Sequence, residues 1–226
     1  MRRFLLYTLI FATSSGLTKA QSRMHLEPTI GFANTIPVKE VGTDKKNATG
    51  FRAGLGLRYT NSPLVLTTGL FYQSAGYQYS LAPSVYTISG TTLSFQPTVV
   101  HTRAHFLTLP VTAGLRIGLG ENGSIIPSVG LEAACLLAVN ETRSNESPGQ
   151  PAFSSNKSGI AFRDLSLYGL FQVRYQLAVT DNTTLFIAPV VRRGLYSVYG
   201  YDYTYSFVKR QYFLMLGADA GVSIRL

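Results

Sequence analysis

Glu27, Glu132 and Asp219 fall on the polar side of segments that alternate apolar and polar residues, and so do Arg58, Arg116, Arg174, Arg192 and Arg225. Charges confined to one face of a strand must find partners if that face is enclosed, because an unpaired charge away from water is costly. Counted along the segments, Glu27 comes level with Arg58 and Arg225, Asp219 with Arg192, and Glu132 with Arg116 and Arg174. Such groups could line a gated, ion-selective path. They could equally tie strands together inside a narrow barrel whose bore is full. Buried charges pair in both cases, so the structural plug is the simpler reading.

Other residues invite catalytic readings. His101 and His105 are four positions apart, a metal-ligand spacing on a helix, but on a strand about 13 Å separates them. Ser94, His101, His105 and Asp164 supply the residue types of an outer-membrane lipid hydrolase, yet no motif joins them. No catalytic, metal or cofactor-binding residue is assigned, and neither an enzyme nor a cofactor is expected. Tyr199, Tyr201, Tyr203 and Tyr205 keep a period of two. They predict an aromatic edge that could hold a protein or glycan by stacking and strand addition. The six Asn-x-Ser/Thr triplets, Asn47 and Asn156 among them, read as polar turn residues. Cys135 is the only cysteine, so no intramolecular disulfide can form.

The elements that position these residues are strands. Odd positions carry the apolar residues from Phe51 to Tyr59, Leu107 to Leu119, Ile125 to Val139 and Leu165 to Leu177. The final segment, from Tyr212 to Leu226, sets its apolar residues on even positions. Weaker segments cover roughly His25–Asn34, Leu64–Gln73 and Thr184–Val198, which makes eight. Strand side chains alternate faces, so each segment has one apolar face and one face of charges, glycines and small residues. Three short connections, Asn61-Ser62-Pro63, Gly120-Glu121-Asn122-Gly123 and Thr180-Asp181-Asn182, take turns with long ones at 35–50, 80–98, 141–159 and 200–209. Short and long in rotation is the pattern of an up-and-down membrane barrel, with tight periplasmic turns and long outer loops. Tyr59, Tyr72, Tyr175, Tyr196, Tyr199 and Tyr212 sit near segment ends, as an interfacial girdle would. Pro28, Pro110, Pro127 and Pro189 fall inside strands. They lack a ladder donor, which predicts bulges or kinks.

Arg2 and Arg3 followed by the apolar run Phe4–Ala12 and by Thr18-Lys19-Ala20 predict a signal peptide over 1–20, cleaved before Gln21. One barrel domain then occupies 21–226. The formal charge is +9 over the chain, but its positive residues are spread along strand-like segments. A diffuse excess of this kind argues against nucleic acid as a partner. After the leader no apolar run is long enough for a membrane helix, so a membrane reading requires a closed barrel.

The stretches Gly50-Phe51-Arg52-Ala53-Gly54-Leu55, Leu64 through Ser74 and Phe106-Leu107-Thr108-Leu109-Pro110-Val111 resemble the PorT-like outer-membrane β-barrel proteins. The resemblance extends over most of the chain after the leader and implies the barrel fold. The namesake's link to protein secretion does not follow from fold alone.

The reading is therefore an all-β, eight-stranded antiparallel up-and-down transmembrane barrel behind a cleaved signal peptide. Its place is the outer membrane of a Gram-negative cell, with both termini periplasmic. Its partners are outer-membrane lipid, the barrel assembly machinery, and an extracellular or envelope protein. The alternatives are a soluble secreted lipocalin-like barrel holding a small apolar ligand, and an outer-membrane lipid-modifying enzyme.

Overall fold

The computed structural model describes residues 24–38, 45–81, 84–88, 91–95, 98–120, 122–145, 153–155, 164–196 and 212–226. The leader (1–20) and the tyrosine series Tyr199–Tyr205 lie outside the described residues. The strands are β1 (Met24–Val38), β2 (Lys45–Asn61), β3 (Leu64–Leu81), β4 (Ser84–Ile88), β5 (Thr91–Phe95) and β6 (Thr98–Leu115). They continue with β7 (Ile117–Leu119), β8 (Gly123–Asn145), β9 (Phe153–Ser155), β10 (Leu165–Ala178), β11 (Thr183–Gly194) and β12 (Tyr212–Arg225). Every neighbour along β1-β2-β3-β6-β8-β10-β11-β12 pairs antiparallel, and β12 returns to β1. The sheet is thus a closed ring of eight staves, with β7 continuing β6 along β8. Closure pairs each of the eight staves on both sides along the body of the ring.

Burial follows the two-residue period. On β10, Ser166, Tyr168, Leu170, Gln172, Arg174 and Gln176 are buried, while Leu165, Phe171, Tyr175 and Leu177 are exposed. On β11, Phe186, Ala188, Val190 and Arg192 are buried between exposed Leu185, Ile187 and Val191. Ile30, Phe32, Leu109, Val111, Val129 and Leu131 also face outward, Ile30 with 69% of its surface exposed. An outside of leucine, isoleucine and valine around an inside of arginine, glutamate and glutamine reverses the order of a soluble protein. In lipid, the same arrangement satisfies both faces.

The tight turns gather at one end with both ends of the described barrel. The Leu226 amide donates to the Met24 carbonyl at 2.9 Å, and Thr60, Asn122 and Asp181 from the three turn regions line one cavity with His25 and Arg225. At the third turn, Thr180 Oγ1 accepts from the amides of Asn182 and Thr183 at 3.3 and 3.1 Å.

The prolines do not produce the expected bulges. Register is unchanged across Pro28, Pro110 and Pro189; the ladder loses paired positions on one side there and resumes in step. Pro127 lies level with Leu115, at the end of β6 where its ladder with β8 lapses before β7 resumes it. A missing donor removes a bond without slipping the strand. The two register shifts lie elsewhere, between Asn47 and Arg52 on β2 and between His105 and Phe106 on β6. In the first, the Phe51 amide finds Ser74 Oγ at 3.0 Å. A Cβ on Gly50 would come within 1.9 Å of the Ser74 carbonyl oxygen, so this bulge requires glycine. In the second, Leu137 is the extra residue, and beyond it the parity of β8 reverses. Val139 and Glu141 therefore turn inward, although the alternation read from the sequence keeps Val139 on the apolar side.

The strands also run further than the sequence alternation indicates. β3 and β6 have 18 residues each and β8 has 23, against the 9–11 or so that cross a bilayer. They occupy parts of the stretches 35–50, 80–98 and 141–159 read as loops. Lys46, Gln78, His101 and Thr142 form one outward row across β2, β3, β6 and β8. This polar row lies above the apolar belt that ends near Phe51, Tyr72, Leu107 and Leu137, and it marks where the wall leaves lipid.

Replacing Leu131 on the outward face with arginine tests the lipid assignment. Leu131→Arg is expected to cost roughly 2–4 kcal/mol in reversible unfolding from lipid vesicles. A cost within about 0.5 kcal/mol, ordinary for a water-facing position, would contradict it.

Candidate functional site

Three zones stack inside the barrel. At the turn end is a mouth with a cavity of about 550 Å³. In the middle is a network of charges. At the opposite end Tyr77, Phe106, Tyr168, Phe213 and Met215 pack with Ala33, Ala75, Ala104 and Ala134. Tyr77 and Phe213 have their ring centroids 6.1 Å apart.

The charge network has two layers. Nearer the mouth, Glu27 accepts from Arg174 Nη1 through both carboxylate oxygens, at 2.7 and 2.8 Å, and faces Arg58 Nε at 3.0 Å. Arg58 also donates to Gln176 Oε1 at 2.7 Å and Ser223 Oγ at 2.8 Å. Further in, Glu132 forms ion pairs with Arg52 and with Arg192, the latter at 3.5 Å. Asp219 accepts from Arg192 Nη2 at 2.7 Å, and Arg52 donates to Gln73 Oε1 at 3.0 Å. Glu132 and Arg192 are 0% and 1% exposed, so these charges have exchanged water for each other. The two layers leave between them a cavity of only about 30 Å³.

Aromatic rings and glycines complete the arrangement. The Arg52 guanidinium lies 4.0 Å over the Phe71 ring, and that of Arg174 lies 4.1 Å over Phe186. A cation over a ring face gains from the ring quadrupole, most strongly where water is excluded. A Cβ on Gly54 would meet Phe71 Cδ1 at 2.7 Å, and one on Gly31 would meet Asp219 Oδ1 at 2.2 Å. The ring and the carboxylate lie where those glycines leave space.

The structure joins some of the residues expected to cluster and separates others. Glu27 meets Arg58, and Asp219 meets Arg192. Glu132 pairs with Arg52 and Arg192 instead of Arg116 and Arg174. Arg174 stands opposite Ile126 on β8, and Arg116 falls level with the same residue. Ile126 is six residues short of Glu132, or about 20 Å along the strand. Arg174 therefore turns to Glu27, and Arg116 reaches the mouth. Arg225 pairs in register with His25, beyond Glu27 toward solvent, and also lines the mouth. Arg52, Gln73, Gln176 and Ser223 were not assigned to any cluster, although each lies on the polar side of its segment.

His101 and His105 stand on the outer face of β6. His105 Nδ1 bonds to the Tyr72 hydroxyl, and its Nε2 lies 3.2 Å from Asn140 Nδ2. Its partners are thus a phenol and an amide. Asp164 is exposed and accepts from the Leu136 amide through its backbone carbonyl at 2.8 Å. Among the described residues, no group of three histidine, cysteine or acidic side chains could hold a metal ion.

On Glu132, in the inner layer, Arg52 and Arg192 converge. Glu132→Gln keeps its shape and removes its charge, and is expected to cost about 3–5 kcal/mol in unfolding from vesicles, as for other broken buried pairs. Arg116→Gln at the mouth is expected to stay within about 0.5 kcal/mol. Equal effects would show that the inner pairs are not the buttress described.

No family model matches the chain, and no curated protein matches it. Solved structures of similar form do exist. Neisserial surface protein A has 14% identity and a TM-score of 0.45, over 90% of this chain and 97% of that one. The attachment invasion locus protein Ail of Yersinia pestis has 15% identity and a TM-score of 0.38, over 89% and 99%. The outer membrane protein OprG of Pseudomonas aeruginosa has 10% identity and a TM-score of 0.38, over 90% and 96%. At these values the likeness is one of general form and carries no argument about activity. The membrane assignment rests on the barrel itself: a closed ring, apolar outside and charged inside, is the form of a protein of the outer membrane.

Proposed function

We propose that the chain is an outer-membrane barrel with a closed bore, which acts without catalysing a reaction through the sheet its longest strands raise above the outer leaflet. The observation that carries this reading is the height of one side. β3, β6 and β8 continue past the polar row of Lys46, Gln78, His101 and Thr142, and β4 and β5 pair as a separate hairpin between β3 and β6. A wall of paired strands standing in water suits recognition of a protein or glycan on the cell exterior. The tyrosines at 199–205 belong to the same proposal as a further aromatic edge.

The interior supports the closed bore. Aromatic side chains fill its outer end, and cross-lumen ion pairs leave little room in the middle. A soluble lipocalin-like carrier would need its apolar face inside, whereas here that face is outside. A lipid-modifying enzyme would need an acid beside His105, where the chain places Tyr72 and Asn140. The PorT-like affiliation stands on the stretches 50–55, 64–74 and 106–111. A cleaved leader over 1–20, assembly by the outer-membrane machinery and periplasmic termini complete the proposal.

Two measurements test it. Refolded protein in planar bilayers is expected to give no sustained conductance steps under applied voltage; reproducible steps would contradict the closed bore. In a Cys135→Ser background, Thr142→Cys is expected to react with a membrane-impermeant maleimide on intact cells. Thr180→Cys is expected to react only after the outer membrane is permeabilised. The reverse pattern would turn the barrel over and remove the surface role.

A further inference from the structure

The mouth at the turn end has a composition that the closed bore does not explain. Its cavity of about 550 Å³ lies within the range of small-molecule sites, while the gap deeper in the bore holds about one water. His25 on β1, Arg225 on β12 and Arg116 between β6 and β7 line it, and Asp181 is the only acid among its described lining residues. Arg116 stands at the break between β6 and β7, where its amide donates to the Pro63 carbonyl at 2.8 Å. Its exposed guanidinium has no acid within ion-pair distance among the described residues. His25 Nδ1 is buried without a hydrogen-bond partner. Beneath the mouth, Arg58 and Arg174 share the single carboxylate of Glu27, so the layer below adds positive charge to the field above it. A cleft whose positive charges outnumber its negative ones raises the local concentration of anions.

We propose that the periplasmic mouth is a binding site for a phosphate-type oxyanion, free or at the end of a larger envelope molecule, held by Arg116 and Arg225 with His25 beside them. Guanidinium forks match the paired oxygens of a phosphate. The ligand enters from the periplasm and stops there, because the ion-pair layers close the way inward. Asp181 opposes it and weakens the site.

Isothermal titration of the refolded full chain in uncharged detergent, with inorganic phosphate and glycerol phosphate as probes, tests this. Saturable binding of one ion per barrel is expected, weakened about tenfold in Arg116→Gln, the effect of losing one charged hydrogen bond. Asp181→Asn is expected to tighten it several-fold, a gain that damaged folding could not produce. Heat-modifiable gel mobility checks that each variant remains a barrel. Tighter glycerol phosphate would assign the esterified source and tighter inorganic phosphate the free ion; both support the site. Absence of saturable binding of either probe, or binding indifferent to both substitutions, would overturn it.

Discussion

Among the described residues, the guanidiniums of Arg52, Arg58, Arg174 and Arg192 lie inside a ring of eight strands, and neutralising them is the constraint to which the rest of the interior conforms. Their counter-charges are Glu27, Glu132 and Asp219, each reached across the lumen or from a neighbouring strand. Removing either side of such a pair leaves a charge with no water to replace its partner. The pairs also bind strands that are distant in the ring: Arg174 on β10 holds Glu27 on β1, and Arg52 on β2 holds Glu132 on β8. Backbone pairing joins each stave only to its neighbours. The charges add diagonal braces, and the rings of Phe71 and Phe186 take up the remaining faces of two arginines.

The interior is graded from one end to the other. Tyrosine, phenylalanine and methionine pack together at one end, ion pairs occupy the centre, and a cavity lies at the turn end. An aromatic cap needs no counter-charge and excludes water, which strengthens the pairs beneath it. The tall strands begin where this cap sits, so the part of the wall that leaves lipid is held from within by Tyr77, Phe106 and Phe213.

The barrel was legible in the sequence because a two-residue period leaves little freedom. Once Leu165, Leu167, Phe171 and Val173 share a face, Ser166, Gln172, Arg174 and Gln176 share the other. The partners of the charges were less legible. Depth counted along each segment ignores strand tilt and the stagger that closes a barrel, so Glu132 was set beside Arg116 and Arg174 when both lie level with Ile126. Local events were hidden too. The bulge at Leu137 reverses the parity of β8, which no alternation of residue types announces, and Glu141 turns inward as a result. The prolines pointed to real gaps in the ladder, but the register crosses them unchanged. Gly50, where a bulge does require glycine, gave no signal apart from the many other glycines on polar faces.

The place of the charges, the aromatic cluster and the tall strands all follow from which face of the wall meets lipid. A nitroxide scan along β8 from Ile126 to Ala133, in vesicles, reads this directly by comparing collisions with oxygen and with a water-soluble nickel chelate. Odd positions, Pro127, Val129, Leu131 and Ala133, are expected to be open to oxygen and closed to the chelate. Even positions Ile126 and Ser128, which face inward without carrying an ion pair, are expected to be closed to both. Odd positions open to the chelate would place water outside the barrel and contradict the account.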